Sequence, residues 1–257
     1  MLLDKLLPVV RAAGDAVMAI YQEGGARVAY KADASPVTEA DLTAHRVLAA
    51  GLVALLLDCP VVSEEDAASL SANAPLTRFW LVDPLDGTKE FIGRNGEFTV
   101  NVALIEQSEP VMGVVLAPAL GQLYAGGLGL GAFREDELSR HAITVRSVPA
   151  EGLTVMGSRS HADAEAMDEF LKGMQVASVR SVGSSLKLCL IAAGEADLYP
   201  RLGRTMEWDI AAGHAVLAAA GGTVCDLHGQ PLRYGKPGWD NPHFVARGAT
   251  ATYAPTT

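Results

Sequence analysis

The sequence has few cysteines, and their arrangement limits what the protein can be. The 257 residues include three cysteines, Cys59, Cys189 and Cys225, and none of them stands in a Cys-x-x-Cys spacing. An odd, scattered set of thiols argues against a disulfide framework and against a zinc site, and it is typical of a reducing compartment. We therefore expect all three cysteines to be buried and no cysteine to act as a nucleophile.

Long apolar runs are also missing. No window reaches the roughly 18 uninterrupted apolar residues of a membrane span, and Asp4 and Lys5 interrupt the start of the chain where a signal peptide needs its apolar stretch. We expect a cytoplasmic protein without a transmembrane segment. The net charge of −10 excludes attraction to nucleic-acid polymers, but local cations or a metal could still bind a small anion. The pattern leaves the oligomeric state undetermined.

The hydrophobic content of 49% is enough to fill a substantial core. Helical spacing predicts a first helix over residues 2–21, and Thr38-Glu39-Ala40-Asp41 resembles a capping box that opens a second helix. A β-rich middle follows. After residue 148, short strands alternate with helices, which indicates layered α/β structure. We predict an N-terminal α+β subdomain over 1–147 and a C-terminal α/β subdomain over 148–257.

Acidic residues are concentrated after apolar strand-like segments. Glu64 and Glu65 follow Val61-Val62-Ser63, while Asp83 and Asp86 follow Phe79-Trp80-Leu81-Val82. Hard divalent cations prefer oxygen ligands, and magnesium usually takes a few carboxylates together with waters and substrate phosphate. Asp83 and Asp86, three residues apart around Pro84-Leu85, could share such a site, with the Leu85 carbonyl as a further ligand. Gly87-Thr88 would then let the backbone approach a phosphate.

Each of these features also has a plain structural explanation. Asp-Pro and Asp-Gly are ordinary turn formers, and runs of acids are usually solvated surface. Asp41 could simply close the capping box from Thr38, and Asp209, after Trp208, could be a helix cap. Spacing alone therefore makes a metal site plausible and no more.

The combination of motifs is far more specific than its parts. Asp83-Pro84-Leu85-Asp86-Gly87-Thr88, preceded by Glu64-Glu65 and followed by Trp208-Asp209, resembles the inositol monophosphatase superfamily. The similarity is greatest to its bacterial 3'(2'),5'-bisphosphate nucleotidase branch and covers roughly residues 10–245. Further motifs that carry it are Ser35-Pro36-Val37-Thr38, WLVDPLDGTKEFIGRNGEFTVNV over 80–102, Ser158-Arg159-Ser160-His161, Gly183-Ser184-Ser185-Leu186-Lys187 and Leu198-Tyr199-Pro200-Arg201.

The resemblance implies a layered α/β/α/β/α sandwich, two or three magnesium ions and lithium sensitivity. It implies metal ligands at Glu64, Asp83, Asp86, Asp209 and the Leu85 carbonyl, and a water-activating pair of Asp41 and Thr88. Glu65 would stand behind the ligands, in contact with them but not with the metal, or would help to bind a metal-associated water. Peripheral association with the inner membrane is also implied by the bacterial family, without support in the sequence itself.

Substrate choice depends on a second set of residues. In the inositol phosphatases an acidic residue stands shortly before the Trp-Asp pair, and here Arg201 takes its place. An arginine there favours a second anionic group, which it can bind as a bidentate fork. The resemblance places Gly87, Thr88, Gly183, Ser184, Lys187 and Arg201 at the phosphates and His161 beside the adenine. Surface positions for Arg201 and His161 remain alternatives.

We therefore predict hydrolysis of the 3'-phosphate of adenosine 3',5'-bisphosphate, a by-product of sulfate assimilation, to AMP and phosphate. The 3'-phosphorylated adenylyl sulfate is a second expected substrate. The alternative is a phosphatase of the same fold that acts on inositol phosphates or sugar bisphosphates. A sensor that binds metal or nucleotide without turnover would be expected to lack a ligand or the water-activating pair, and all of these residues are present.

Overall fold

The computed structural model describes residues 1–24, 28–30, 36–71, 76–157 and 164–248. Ser35 and the motif at 158–161, including His161, lie outside the described residues. The helices are α1 Leu2–Glu23, α2 Glu39–Leu55, α3 Ala67–Leu70, α4 Thr88–Ile92, α5 Ala164–Phe170, α6 Leu186–Ala192 and α7 Glu207–Ala219. The strands are β1 Val28–Tyr30, β2 Pro36–Thr38, β3 Val61–Ser63, β4 Arg78–Asp86, β5 Thr99–Glu106, β6 Glu109–Ala117, β7 Gln122–Gly127, β8 Gly131–Glu135, β9 Arg140–Ile143, β10 Leu153–Gly157, β11 Val176–Ser181, β12 Leu198–Arg201, β13 Thr223–Asp226 and β14 Phe244–Arg247.

Both N-terminal helix predictions are confirmed. Helix α1 buries Leu6, Val10, Ala13 and Val17 along one face and ends at Gly24, whose φ of 75° is the left-handed conformation that favours glycine. Helix α2 begins after Thr38, and the Thr38 and Asp41 side chains form the reciprocal bonds of a capping box.

Two sheets form the framework. In the first, strands β3 to β9 lie in sequence order; β3 and β4 are parallel and the later neighbours are antiparallel. The second has the order β11-β10-β12-β14-β13, with β10 parallel to β11 and β12 and with antiparallel pairs at β14. The sheets lie on either side of the predicted boundary at residue 147, and the division into subdomains stays a prediction.

Side chains alternate across the first sheet and so face two different cores. Trp80, Val82 and Val102 pack with α1 and α2 on one face, whereas Phe79 and Ala103 on the other face pack with α6, α7 and the second sheet. The far side of the second sheet packs against α5 through a smaller cluster that contains Leu153, Val155, Met167 and Phe170. The order of layers is therefore helices, sheet, helices, sheet, helix, and the predicted α/β/α/β/α sandwich is confirmed.

The core contains a buried histidine and two buried cysteines. His214, in α7, shares a hydrogen bond of 2.8 Å between Nδ1 and the Tyr234 hydroxyl, and burial lowers the pKa of His214 to about 4. The imidazole is therefore neutral at pH 7. Cys59 and Cys189 are buried as expected, but Cys225 is only partly buried, because β13 is the edge strand of the second sheet. Among the described helices, none is both long and apolar enough to span a membrane.

Candidate active site

A β-bulge in β4 brings Asp83 and Asp86 to the same face of the first sheet. Residues three apart in a regular strand point to opposite faces. Here Asp83 pairs with Asn101 and Asp86 pairs with Thr99, so three steps along β4 match two along β5. The surplus residue restores the alternation, and both carboxyls lie on the side of α6 and α7. Pro84, inside the bulge, has no N–H to leave unpaired.

The two aspartates belong to a cluster of acids in which Asp83 is buried and Glu64, Asp86 and Asp209 are partly buried. Burial first, and then the charges of Glu64, Asp86 and Asp209, raise the pKa of Asp83 well above its ordinary value. Burial raises the pKa of Asp86 to about 6, although Lys187 and the Ser185 N–H oppose the shift. Burial and the charge of Asp86 likewise raise the pKa of Asp209 well above its usual range. The four predicted acidic metal ligands are thus close enough to repel one another.

The chemistry of this cluster fits a divalent cation. The carboxyls of Asp83 and Glu64 lie close together, and, after burial, the charge of Glu64 helps to raise the pKa of Asp83. A magnesium ion would offset this repulsion and would find here the oxygen ligands that it prefers. Within the described part of the chain, no three His, Cys, Asp or Glu side chains are already gathered around a single ion position. Several of the carboxyl oxygens accept protein hydrogen bonds instead.

Asp209 reaches the cluster from the first turn of α7. The alternative that Asp209 is itself the N-cap of this helix does not hold, because the helix begins at Glu207 and Asp209 is its third residue. Asp209 Oδ2 accepts from the Met206 backbone N–H at 2.8 Å, the bond that a capping box places at this position. The backbone bond fixes one oxygen, and the side chain extends toward Asp86 and Glu64.

Asp41 and Thr88 are brought together across two elements, as predicted. Asp41 is 2% exposed, and its Oδ2 accepts from the Thr38 backbone N–H at 2.7 Å and from Thr38 Oγ1 at 2.6 Å. Its Oδ1 accepts from Thr88 Oγ1 at 3.2 Å. The Leu85 carbonyl lies 3.4 Å from the same hydroxyl. Burial raises the pKa of Asp41, and the hydrogen bonds from Thr38 oppose that shift. Asp41 therefore serves the cap and the site at once.

Glu64 and Glu65 lie in the turn that follows β3. The Glu64 backbone N–H donates to the Val82 carbonyl at 3.2 Å, so this turn is attached to β4 beside Asp83. Ser63 is fully buried, and its Oγ accepts from the Glu65 backbone N–H at 3.4 Å and lies 2.9 Å from His45 Nδ1. The role of Glu65 behind the metal ligands stays a prediction.

The predicted cations lie beside the acids in a cavity of about 240 Å³. Its lining includes Asp86, Asp209, Lys187, Arg201 and Ser184. Lys187 is 7% exposed, and its Nζ donates to the Val182 carbonyl at 3.0 Å and to the Ser184 carbonyl at 2.6 Å. Burial, opposed by the charge of Asp86, lowers the pKa of Lys187 to about 8. Ser184 has a φ of 50°, and its buried Oγ has no hydrogen-bond partner among the described residues.

Gly87 and Gly183 occur where the backbone leaves no room for a side chain. A Cβ on Gly183 would lie 2.8 Å from the Glu97 carbonyl oxygen and 2.9 Å from Glu90 Cγ. Gly87 has a φ of 91° and precedes the five-residue helix α4. Both glycines allow the 183–187 segment and the start of α4 to approach each other closely.

Sequence reasoning missed several polar residues of this region. Thr99, Asn101 and Ser185 are 0%, 1% and 3% exposed and form hydrogen bonds with Asp86 or with each other. Glu97 Oε2 accepts from the Gly183 backbone N–H at 2.7 Å. Asn101 and Thr99 alternate with apolar residues in Thr99-Val100-Asn101-Val102, and this alternation was the available signal, since a buried polar residue requires a partner.

Glu207, two residues before Asp209, has partners away from the acidic cluster. It is fully buried and accepts from the Gly235 backbone N–H at 2.6 Å, the Lys236 backbone N–H at 3.0 Å and Lys236 Nζ at 2.5 Å. The carboxylate connects the start of α7 to the 235–236 turn.

Comparisons with known proteins agree with this architecture. The model of the inositol monophosphatase family matches residues 3–254. The chain is 50% identical to the 3'(2'),5'-bisphosphate nucleotidase CysQ of Escherichia coli (strain K12) over 236 residues, which cover 91% of this chain and 94% of that protein. It is 34% identical to the protein of the same name from Haemophilus influenzae (strain ATCC 51907 / DSM 11121 / KW20 / Rd) over 250 residues, 96% of this chain and 93% of the other.

Solved structures show the same relationship. CysQ from Bacteroides thetaiotaomicron, described as a bacterial member of the inositol monophosphatase family, superposes with a TM-score of 0.78 at 36% identity, covering 96% of both chains. An inositol monophosphatase from Thermotoga maritima gives a TM-score of 0.78 at 27% identity, covering 95% of this chain and 91% of the other. The expected enzyme class, a phosphoric monoester hydrolase, is confirmed by these relatives. The chain belongs to the inositol monophosphatase family.

Proposed function

We propose that the protein is a magnesium-dependent phosphomonoesterase that removes the 3'-phosphate of adenosine 3',5'-bisphosphate, giving AMP and phosphate. The observation that carries this proposal is a single cavity in which Asp86 and Asp209 face Lys187 and Arg201. The acids suit a divalent cation at the reacting phosphate, and the bases suit a second anionic group on the same substrate. The names of the curated relatives support the nucleotide assignment.

Glu64, Asp83, Asp86, Asp209 and the Leu85 carbonyl are the groups that would bind two or three magnesium ions. When bound, the ions supply Lewis acidity to the phosphoryl oxygens and lower the pKa of a coordinated water. The protein then has little covalent work to do, because positioning and charge neutralisation dominate phosphoryl transfer. Water oxygen forms the new bond to phosphorus, the bond from phosphorus to the ribose 3'-oxygen breaks, and a proton goes to that leaving oxygen.

Thr88 and Asp41 orient the attacking water in this proposal. A hydroxyl has one hydrogen to donate, and that of Thr88 goes to Asp41 Oδ1. The lone pairs of Thr88 Oγ1 are therefore left to accept a hydrogen from water. Asp41 is held by two bonds from Thr38, so the direction of the Thr88 hydroxyl, and of the water bonded to it, is fixed.

The second anionic group lies with Lys187, Ser184 and Arg201. An ammonium has three hydrogens, and two of those of Lys187 go to backbone carbonyls. The third hydrogen and the Ser184 hydroxyl are available to a phosphate in the cavity. Arg201 adds a planar guanidinium, which binds phosphate through two parallel hydrogen bonds. Glycines at 87 and 183 leave the backbone close to these groups. We also propose that His161 contacts the adenine.

Phosphatases of the same fold that act on inositol phosphates or sugar bisphosphates are the alternative. A neutral polyol needs hydrogen-bond acceptors for its hydroxyls, whereas this cavity offers Lys187, Arg201 and Arg204 beside the acids. The cationic lining favours a substrate with two phosphates. Adenylyl sulfate that carries a 3'-phosphate has the same pattern of charges and is a second proposed substrate.

A kinetic panel tests the proposal. Phosphate release is measured for adenosine 3',5'-bisphosphate, its adenylyl sulfate analogue, AMP, inositol 1-phosphate and fructose 1,6-bisphosphate, each with magnesium and with a chelator. We expect the highest kcat/KM for the bisphosphate nucleotide and release that depends on magnesium. A higher kcat/KM for inositol 1-phosphate would overturn the substrate, and binding of nucleotide without phosphate release would mean a sensor.

A further inference from the structure

Four polar groups, three of them buried and Asp86 partly buried, connect the first sheet to the segment before α6. Asp86 is in β4, Thr99 and Asn101 are in β5, and Ser185 precedes α6. Ser185 Oγ donates to Asn101 Oδ1 at 2.8 Å and lies 2.9 Å from Thr99 Oγ1. Asp86 Oδ2 accepts from the Ser185 backbone N–H at 2.6 Å, from Asn101 Nδ2 at 3.4 Å and from Thr99 Oγ1 at 3.5 Å. We call this set the Asp86 network.

The Asp86 network distinguishes the two oxygens of the Asp86 carboxyl. In the described part of the chain, the hydrogen bonds to this carboxyl all fall on Oδ2. The other oxygen, Oδ1, is left for the cavity that Asp86 lines. A carboxyl without such bonds rotates about its last torsion and gains a broad range of orientations. The network therefore selects both the orientation and the oxygen that the site receives.

The same bonds also hold residues 183–185, which contain or adjoin the proposed phosphate ligands. The Ser185 backbone N–H and hydroxyl are both engaged by the first sheet, and the neighbouring Gly183 N–H donates to Glu97. Residues 183–185 are thus attached to the first sheet at two points and to the loop before β5 at a third. Ser184 belongs to this segment, and Lys187 follows it in the first turn of α6. Both residues are proposed phosphate ligands. A substitution of Asn101 would therefore remove a hydrogen bond to Asp86 and a hydrogen bond from Ser185 at the same time.

We propose that Asn101 is a positioning residue that, together with Ser185, fixes the orientation of the Asp86 carboxyl for cation binding. Cation binding then also depends on the position of residues 183–185 against the first sheet. Asn101 suits this role because its amide donates to Asp86 while its carbonyl oxygen accepts from Ser185, and few side chains can do both. The inference rests on the proposed metal site but not on the identity of the substrate.

Magnesium binding without substrate tests the proposal by isothermal titration of Asn101→Ala, Ser185→Ala and the double variant. Partners behind metal ligands typically change metal affinity by about 10–100-fold. We expect each single variant to raise the magnesium Kd about tenfold. Because the two residues act in one chain of bonds, we expect the double variant to bind no more weakly than the weaker single variant.

Thr154→Val is the matched control. Thr154 Oγ1 accepts from Arg146 at 3.1 Å in the second sheet, outside the described cavity, so its loss removes a polar contact without touching Asp86. We expect the wild-type magnesium Kd in this variant. Thermal unfolding without metal is recorded for all variants, to compare the loss of stability.

The possible outcomes separate the network from the metal site itself. Wild-type affinity in Asn101→Ala, or losses in the single variants that simply add in the double variant, would overturn the positioning role. An equal loss of affinity in Thr154→Val would also overturn it, since general destabilisation would then explain the result. Failure of the wild-type protein to bind magnesium would refute the proposed metal site instead.

Discussion

Thr88 Oγ1 donates a hydrogen bond of 3.2 Å to Asp41 Oδ1, and the two residues are 47 positions apart in the chain. Asp41 belongs to the first turn of α2 and Thr88 begins α4, so the bond connects two helix starts. Removing the hydroxyl while keeping the shape tests what the pair does.

Thr88→Val should lower kcat while leaving magnesium affinity near that of the wild type. The variant cannot accept a hydrogen from water, and loss of a positioned acid–base group typically costs about 10²–10⁴-fold in rate. Thr88→Ser keeps the hydroxyl and should retain most of the activity. Rates are measured at saturating substrate and magnesium. Similar rates in the Val and Ser variants would show that the hydroxyl has no part in orienting water.

Asp83→Asn should nearly abolish turnover while the fold stays intact. Asp83 is one of the proposed magnesium ligands, and an amide is a far weaker cation ligand than a carboxylate. The Leu85 N–H accepted by Asp83 Oδ1 at 3.1 Å can still bond to the Asn oxygen. Because a buried acid that repels Glu64 and Asp86 is removed, the metal-free protein should unfold at an equal or higher temperature.

The magnesium-induced rise in unfolding temperature should be lost in the same variant, since a ligand stabilises only the state that binds it. Asp168→Asn, a change of an exposed aspartate in α5, is the control and should keep both activity and the magnesium effect. Near-normal turnover by Asp83→Asn would contradict a mechanism in which at least two magnesium ions are bound by these ligands.

Arg201→Glu should reduce kcat/KM for adenosine 3',5'-bisphosphate far more than for inositol 1-phosphate. Loss of a charged hydrogen bond costs about 2 kcal/mol, a factor of about 30, and the new carboxylate adds repulsion to a second phosphate. Arg180→Glu, an exposed charge change in β11, serves as the control. If both substrates lost activity equally, Arg201 would not determine specificity.

His214 should make the protein less stable as the pH falls. Burial lowers its pKa from 6.5 to about 4, so between those values the unfolded chain binds more protons than the folded one. The free energy of unfolding therefore decreases from pH 6.5 towards pH 4, by on the order of 3 kcal/mol for this residue. Denaturant unfolding of the wild type and of His214→Gln over this range measures it. His214→Gln cannot titrate but can still bond to Tyr234, and it should show a shallower slope. Parallel slopes would contradict the assignment.

The sequence was most informative where one local rule decided the structure. The capping box at Thr38 and Asp41 and the helical stripe of α1 depend on neighbours a few residues away, and both predictions were confirmed. A β-rich middle was predicted as a whole, and a strand such as β8 has little apolar alternation of its own; its pairing with β7 defines it. The possible helix cap at Asp209 is instead the third residue of α7, which begins at Glu207; the buried carboxylate of Glu207 binds partners at 235–236 that no local pattern shows.

The candidate site likewise contains residues that the sequence predicted and residues that it did not. The acids that the resemblance assigns to the metal, Asp83, Asp86 and Asp209, do lie together in the structure, while their roles stay predictions. Asn101 and Ser185, 84 residues apart, could not be paired from the sequence. Each looks ordinary alone, and only the packing of α6 on the first sheet brings them into contact. His161 lies outside the described residues, so its place beside the adenine also stays a prediction.

The bulge in β4 has a consequence for the gene as well as for the protein. A deletion of one codon, at Pro84 or Leu85, would keep every carboxylate of the cluster in the chain. It would also return β4 to simple alternation, in which the two aspartates stand two residues apart and still face α6 and α7 together. What the deletion removes is the extra residue of the bulge, where the Leu85 carbonyl lies 3.4 Å from Thr88 Oγ1. Mutational scans that sample only substitutions leave this extra residue in place, so a one-codon deletion is the change that separates the orientation of the two acids from the contribution of the bulge backbone.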